Sequence, residues 1–151
     1  MVDYQFVTIW KFNAPLGEVW HIIKQMDAWP SWWKYVSRVE LLKAGDANEI
    51  GAVRRITWHT ALPYTLTFDS ELISMEKYVR MEGRAFGELQ GQGIWSFSQE
   101  SDITIVRYDW LVNSTKWWMN LLAPIARPIF SWNHDKVMEA GYEGLKKRLE
   151  S

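Results

Sequence analysis

Hydrophobic and polar positions alternate with a period of two at the start of the chain, change to a helical period, and then return to two for most of the remaining length. Tyr4, Phe6, Thr8, Trp10 and Phe12 alternate with Gln5, Val7, Ile9 and Lys11, which predicts a strand over 4–12. Asn13-Ala14-Pro15 predicts a helix start, with Asn13 as N-cap and Pro15 in the first turn. Leu16, Val19, Trp20 and Ile23 follow at i, i+3, i+4 and i+7, one apolar helical face. The segment 27–33 reads as a short second helix or a turn, with Pro30 at its start. Six strands are then predicted over 36–42, 52–59, 64–72, 79–85, 90–98 and 106–112. The phase of 52–59 is open: either Arg54, Ile56 and Trp58 point inward, or Val53, Arg55, Thr57 and His59 do. In the second case Arg55 would be free to meet an acidic head group.

The tail returns to a helical period. Ser114 or Thr115 is the candidate cap, and Pro124 and Pro128 predict that 117–123 is kinked or separate from the rest of the tail. From Ile129 to about Leu149 a single helix is expected, with His134, Met138, Gly141 and Leu145 on one stripe. The sum is a long antiparallel meander with one apolar and one solvated face, facing a terminal helix. Gly83, Gly87, Gly91 and Gly93 predict bends in that sheet and empty volume on its concave side. The glycines on the helix stripe predict spare room there too. Gly91-Gln92-Gly93 is not a phosphate loop, because no helical pattern comes after it.

Composition narrows the function. The 151 residues suit one domain, expected over 1–151. No cysteine is present, which removes disulfides, thiolate metal sites and cysteine nucleophiles. With 17 basic and 18 acidic residues the net charge is −1, so nucleic acid is not an expected partner. The cationic run Lys146-Lys147-Arg148 fits the negative end of a helix dipole. Met1 to Gln5 lacks the basic and apolar regions of a signal peptide, and no apolar stretch reaches membrane-spanning length. The expectation is a soluble, cytoplasmic protein. Eleven tryptophans are more bulky apolar surface than simple packing needs, so some should line a cavity or an exposed patch.

Catalytic signatures are few. His21, His59 and His134 show no paired spacing, which argues against zinc. No Gly-x-Ser-x-Gly elbow occurs. Glu18, Asp27, Glu71 and Asp109 fall on predicted polar faces or caps. No cofactor is implied.

The order β-α-α-β6-α, with Phe12-Asn13-Ala14-Pro15, Trp29-Pro30-Ser31-Trp32-Trp33, Leu62-Pro63-Tyr64, Gly93-Ile94-Trp95 and Trp132-Asn133-His134, resembles the START-like, Bet v 1-like superfamily. Within it the chain is similar to bacterial polyketide cyclase/dehydrase and lipid transport proteins. The resemblance implies an α+β helix-grip fold. A curved seven-stranded antiparallel sheet would wrap a long C-terminal helix and enclose an apolar cavity between them. Alternation then nominates Trp58, Tyr64, Phe68, Met81, Trp95, Tyr108 and Trp110 from the sheet as ligand-lining residues. The helix stripe adds Asn133, His134 and Met138. Tyr108, Asn133 and His134 are the polar groups suited to orient a ligand. The leading alternative for His134 is a core histidine whose ring nitrogens are satisfied by backbone or by Asn133, and general acid/base work is a third.

Two functional readings are open, a binding or transfer module for a lipid, isoprenoid or polyketide, and a cyclase or dehydratase using the same cavity. In a third reading the chain is an interaction protein with a residual cavity. The segment Trp117-Trp118-Met119-Asn120-Leu121-Leu122 is read as packing on the sheet edge, as a transient membrane-surface contact, or as a homodimer contact.

Overall fold

The computed structural model describes residues 3–60, 63, 65–115, 117 and 121–150. Tyr64 and Trp118 lie outside the described residues, as does most of 116–120. The elements are β1 (Asp3–Phe12), α1 (Leu16–Lys24), a 3₁₀ helix (Met26–Ser31), β2 (Val36–Lys43), β3 (Val53–His59), β4 (Thr65–Glu76), β5 (Arg80–Gly87), β6 (Leu89–Glu100), β7 (Ile103–Ser114) and α2 (Ala123–Glu150). All seven strands join one antiparallel sheet in the order β1-β7-β6-β5-β4-β3-β2. The fold is the helix-grip arrangement, with the long helix lying against the concave face of a curved sheet.

Alternation decides which side chains face that helix. On β1, Tyr4, Trp10 and Phe12 are buried while Val7 and Ile9 are about half exposed. Their partners on β7 repeat the pattern: Trp110 lies opposite Phe6 and Val106 opposite Trp10. On β3 the ambiguity resolves in favour of the first phase. Ile56 is buried, and Arg55 lies outside, paired with Asp69 at 2.9 Å. Arg55 is therefore not a cavity group. Asp109 and Glu71 are likewise solvent-side residues, paired with Arg107 and Arg84 at 3.0 Å each. Such exposed pairs contribute little to stability.

Several local expectations change. Pro15, not Asn13, holds the cap position of α1 (φ −62°, ψ 141°), and its carbonyl accepts the first helical bonds from Glu18 and Val19. Asn13 lies too early for its side chain to reach those amides. The Thr115 hydroxyl donates to the Gly87 and Glu88 carbonyls, tying the end of β7 to the β5–β6 turn, and the helix start expected just after it lies outside the described residues. Helix α2 begins at Ala123 and runs through Pro128, six residues earlier than the prolines suggested. Proline is tolerated near a helix start, where the N–H it lacks has no partner within the helix.

The tryptophans explain the core. Trp29 and Trp33 leave the 3₁₀ segment and the turn after it, and pack against Trp10, Trp58 and Trp95 with ring centroids 5.1–6.4 Å apart. Most of these pairs are tilted or edge-on, the geometry ring quadrupoles favour. Trp29 Nε1 donates to the Ile23 carbonyl and Trp33 Nε1 to the Val137 carbonyl, each at 2.9 Å. The second bond ties the start of the chain to the middle of α2.

The helical glycines leave no room. A Cβ at Gly144 would collide with the Trp32 carbonyl oxygen, and one at Gly141 would lie 2.5 Å from the Trp33 ring. They are close-approach positions, filled by Trp32 and Trp33. Gly93 is similarly covered, with the Tyr108 hydroxyl 2.5 Å from where its Cβ would lie.

Candidate ligand cavity

Strands β1, β3, β4, β6 and β7 and the first half of α2 surround a cavity of about 120 Å³. Its walls include Tyr4, Phe6, Trp58, Phe68, Trp95, Tyr108, Trp110, Phe130, Asn133, His134 and Met138. A smaller lobe of about 70 Å³ lies beside it and shares the Trp58, Phe68, Trp95, Tyr108 and Trp110 walls. Met81, Gly83 and Ala85 line only this second lobe. Arg54 also reaches it, with its guanidinium paired to Asp27 at 2.9 Å. The larger lobe has no charged side chain among its described lining residues.

Of the ten residues nominated from sequence, eight line the larger lobe. Met81 lines the smaller one, and Tyr64 lies outside the described residues. Sequence reasoning missed Tyr4, Phe6, Trp29, Trp33 and Phe130. The signal for the first two was present in the inward alternation of β1. What was lacking was the pairing of β1 with β7, which sets them beside Trp110 and Val112. Trp29 and Trp33 carried no usable period, since they come from a 3₁₀ turn.

Three buried polar atoms of these wall residues have no hydrogen-bond partner among the described residues: Tyr4 Oη, Trp58 Nε1 and His134 Nδ1. An unsatisfied buried group costs about 1–3 kcal/mol, a cost that a ligand polar atom reaching it would offset. His134 stacks on Phe6 with centroids 4.0 Å apart and planes 11° from parallel. The Asp135 carboxylate is 4.0 Å from Nδ1, too far for a hydrogen bond. The expected satisfied core histidine is therefore not what the structure holds at Nδ1. Burial lowers the His134 pKa to about 4, so the imidazole is neutral at pH 7. Burial also raises the phenol pKa of Tyr108, and that of Tyr4 against an opposing pull from Arg127. The cavity thus presents neutral hydrogen-bonding groups on aromatic walls. Among the described residues no three His, Asp or Glu side chains assemble into a metal site.

Comparison with known proteins agrees with this architecture. Among solved structures, a START superfamily protein from Mycobacterium smegmatis superposes with a TM-score of 0.78 at 13% identity, covering 97% of each chain. The Zhui aromatase/cyclase from Streptomyces sp. R1128 gives 0.76 at 14% identity, over 99% of this chain and 94% of that one. Ginseng major latex-like protein 151 from Panax ginseng gives 0.75 at 6% identity, over 99% of both. At such identities the likeness is one of fold. No curated protein sequence matches significantly. The family model described as polyketide cyclase / dehydrase and lipid transport matches residues 7–150, and the chain belongs to that family.

Proposed function

We propose that the chain binds an uncharged, apolar small molecule of lipid, isoprenoid or polyketide type between the sheet and the first half of α2. The observation that carries this reading is the aromatic cavity itself, with three polar atoms unpartnered and no charged side chain on its larger lobe among the described residues. Ligand sites are mostly apolar with a few placed polar groups. The larger lobe by itself accommodates a single aromatic ring, and the adjoining lobe, which shares its aromatic walls, extends the space for a longer ligand. Tyr4, Trp58 and His134 would orient the ligand by hydrogen bonds, and Trp95, Tyr108 and Trp110 would supply its flat walls.

Native mass spectrometry of the purified protein, joined to titration with the neutral probe N-phenyl-1-naphthylamine, tests the reading. The expected result is a co-purifying mass or a saturable rise in probe emission, weakened by Val112→Phe, which fills the cavity. Bare protein mass together with no probe binding would falsify it.

A cyclase or dehydratase is the second reading, favoured by the neutral imidazole of His134 facing the cavity. It predicts that His134→Phe abolishes turnover of a polyketide substrate while the probe still binds.

A further inference from the structure

Helix α2 has an outward face whose character changes along its length. From Asp135 onward that face carries Asp135, Lys136, Glu139, Glu143 and Lys146, all exposed, as an outward helical face should. Before residue 133 the same face carries Ile125, Ile129 and Trp132, at i, i+4 and i+7. They are exposed by 74%, 47% and 49%. Leu121 and Leu122, just ahead of the helix, extend the stripe, at 70% and 48% exposed, and Trp117 at 73% stands beyond them. On the opposite side of these turns Phe130, Asn133 and His134 line the cavity. The first half of α2 is therefore apolar on its outer as well as its inner side, and only the inner side is covered.

Charge and side-chain type indicate what would cover the outer side. Between Asp109 and Asp135 the sequence contains no carboxylate and two basic residues, Lys116 and Arg127, in a chain of net charge −1. Lys136 Nζ lies 5.9 Å from the Trp132 ring centre, and the Arg127 guanidinium lies 5.3 Å from that of Tyr4. Lys136, whose ammonium also pairs with Glu139 at 3.7 Å, thus sits at the Trp132 end of an aliphatic stripe with tryptophan at both ends, while Arg127 lies on the sheet side of the same turns. Tryptophan and lysine or arginine are the residues that settle at the head-group level of a bilayer, with aliphatic chains below it. No described helix is long and apolar enough to cross a membrane, so the geometry is that of a helix lying in the surface.

We propose that the first half of α2 docks on an anionic lipid surface, inserting Leu121, Ile125, Ile129 and Trp132 among the head groups and setting the cavity beside the bilayer. Docking is independent of what the cavity holds.

Flotation with phosphatidylcholine vesicles, with and without phosphatidylglycerol, tests it on the full chain. Wild type is expected to float with the phosphatidylglycerol vesicles, and the double variant Ile125→Glu/Ile129→Glu to partition about ten-fold less or weaker still. Both positions are exposed, so the variant should keep its circular dichroism spectrum and its binding of N-phenyl-1-naphthylamine. Tryptophan quenching by lipids brominated near the head group gives a second readout on wild type alone. Failure of wild type to float and to be quenched overturns the proposal, as does equal flotation of the double variant. A concentration-dependent dimer in sedimentation, dissociated by the double variant and without vesicle binding, would instead assign the stripe to a second copy of the chain.

Discussion

The two halves of helix α2 meet the sheet in opposite ways. In the second half Gly141 and Gly144 bring the helix backbone against Trp32 and Trp33, Leu145 is fully buried, and Tyr142 stacks on Phe12 and donates to the Lys11 carbonyl. Nothing can be added there. In the first half larger side chains, Phe130, His134 and Met138, hold the helix off, and a cavity lies beneath. One rigid element is pinned at one end and propped at the other. The hollow follows from that difference more than from any deficit of side-chain volume in the sheet. Trp32 and Trp33 fill the pinned end, whereas Trp58, Trp95 and Trp110 form the walls of the space left under the propped end.

The comparison breaks first at Gly144. Gly144→Ala adds one carbon against a backbone carbonyl that cannot move aside cheaply. A loss of about 3 kcal/mol in urea unfolding is expected, and a neutral result would mean the second half is not pinned. Acidification acts on the propped half. The His134 pKa is lower folded (about 4) than unfolded (6.5), so the unfolded chain takes up the proton first. Stability referable to this group is therefore constant above about pH 7, falls as pH drops from 6.5 toward 4, and levels off below that. By pH 4 the loss is about 3 kcal/mol relative to pH 7. It should appear as the difference between wild type and His134→Phe, whose ring keeps the stack on Phe6. Equal pH profiles for the two proteins would count against a buried neutral imidazole.

Trp33→Phe keeps a ring in the pinned contact but removes the donor to the Val137 carbonyl. A loss of about 2 kcal/mol is expected, with faster hydrogen exchange in the second half of α2. The smallest effect is the most discriminating. Val112→Ile adds one methylene, as Gly144→Ala does, but on the cavity wall, and should change stability by less than about 1 kcal/mol. If the two substitutions cost the same, the halves are packed alike and the comparison fails.

Much of this was legible in the residue pattern. The period-two runs located seven strands, and the inward set on β6 and β7 put Trp95, Tyr108 and Trp110 on the cavity side. The stripe of α2 did the same for Asn133, His134 and Met138. These succeed because side-chain direction in a strand or helix is a local property of the backbone. The 52–59 phase was not legible, since Arg54 and Arg55 are both charged and only burial of Ile56 against the core distinguishes them. Nor was the start of α2, where Pro128 is accommodated close to the helix beginning.

Local chemistry in the chain thus determined the elements, the concave face and most of the cavity wall, because those depend on neighbours a few positions away. Whether a glycine marks empty space or a tight contact depends on what arrives opposite it. Trp33 and the carbonyl it bonds are 104 residues apart. At Gly141 and Gly144 the arriving groups were Trp33 and Trp32, and the space closed; above Tyr108 and Trp110 no such group arrived, and it stayed open. Packing between distant segments, absent from any local pattern, made that choice.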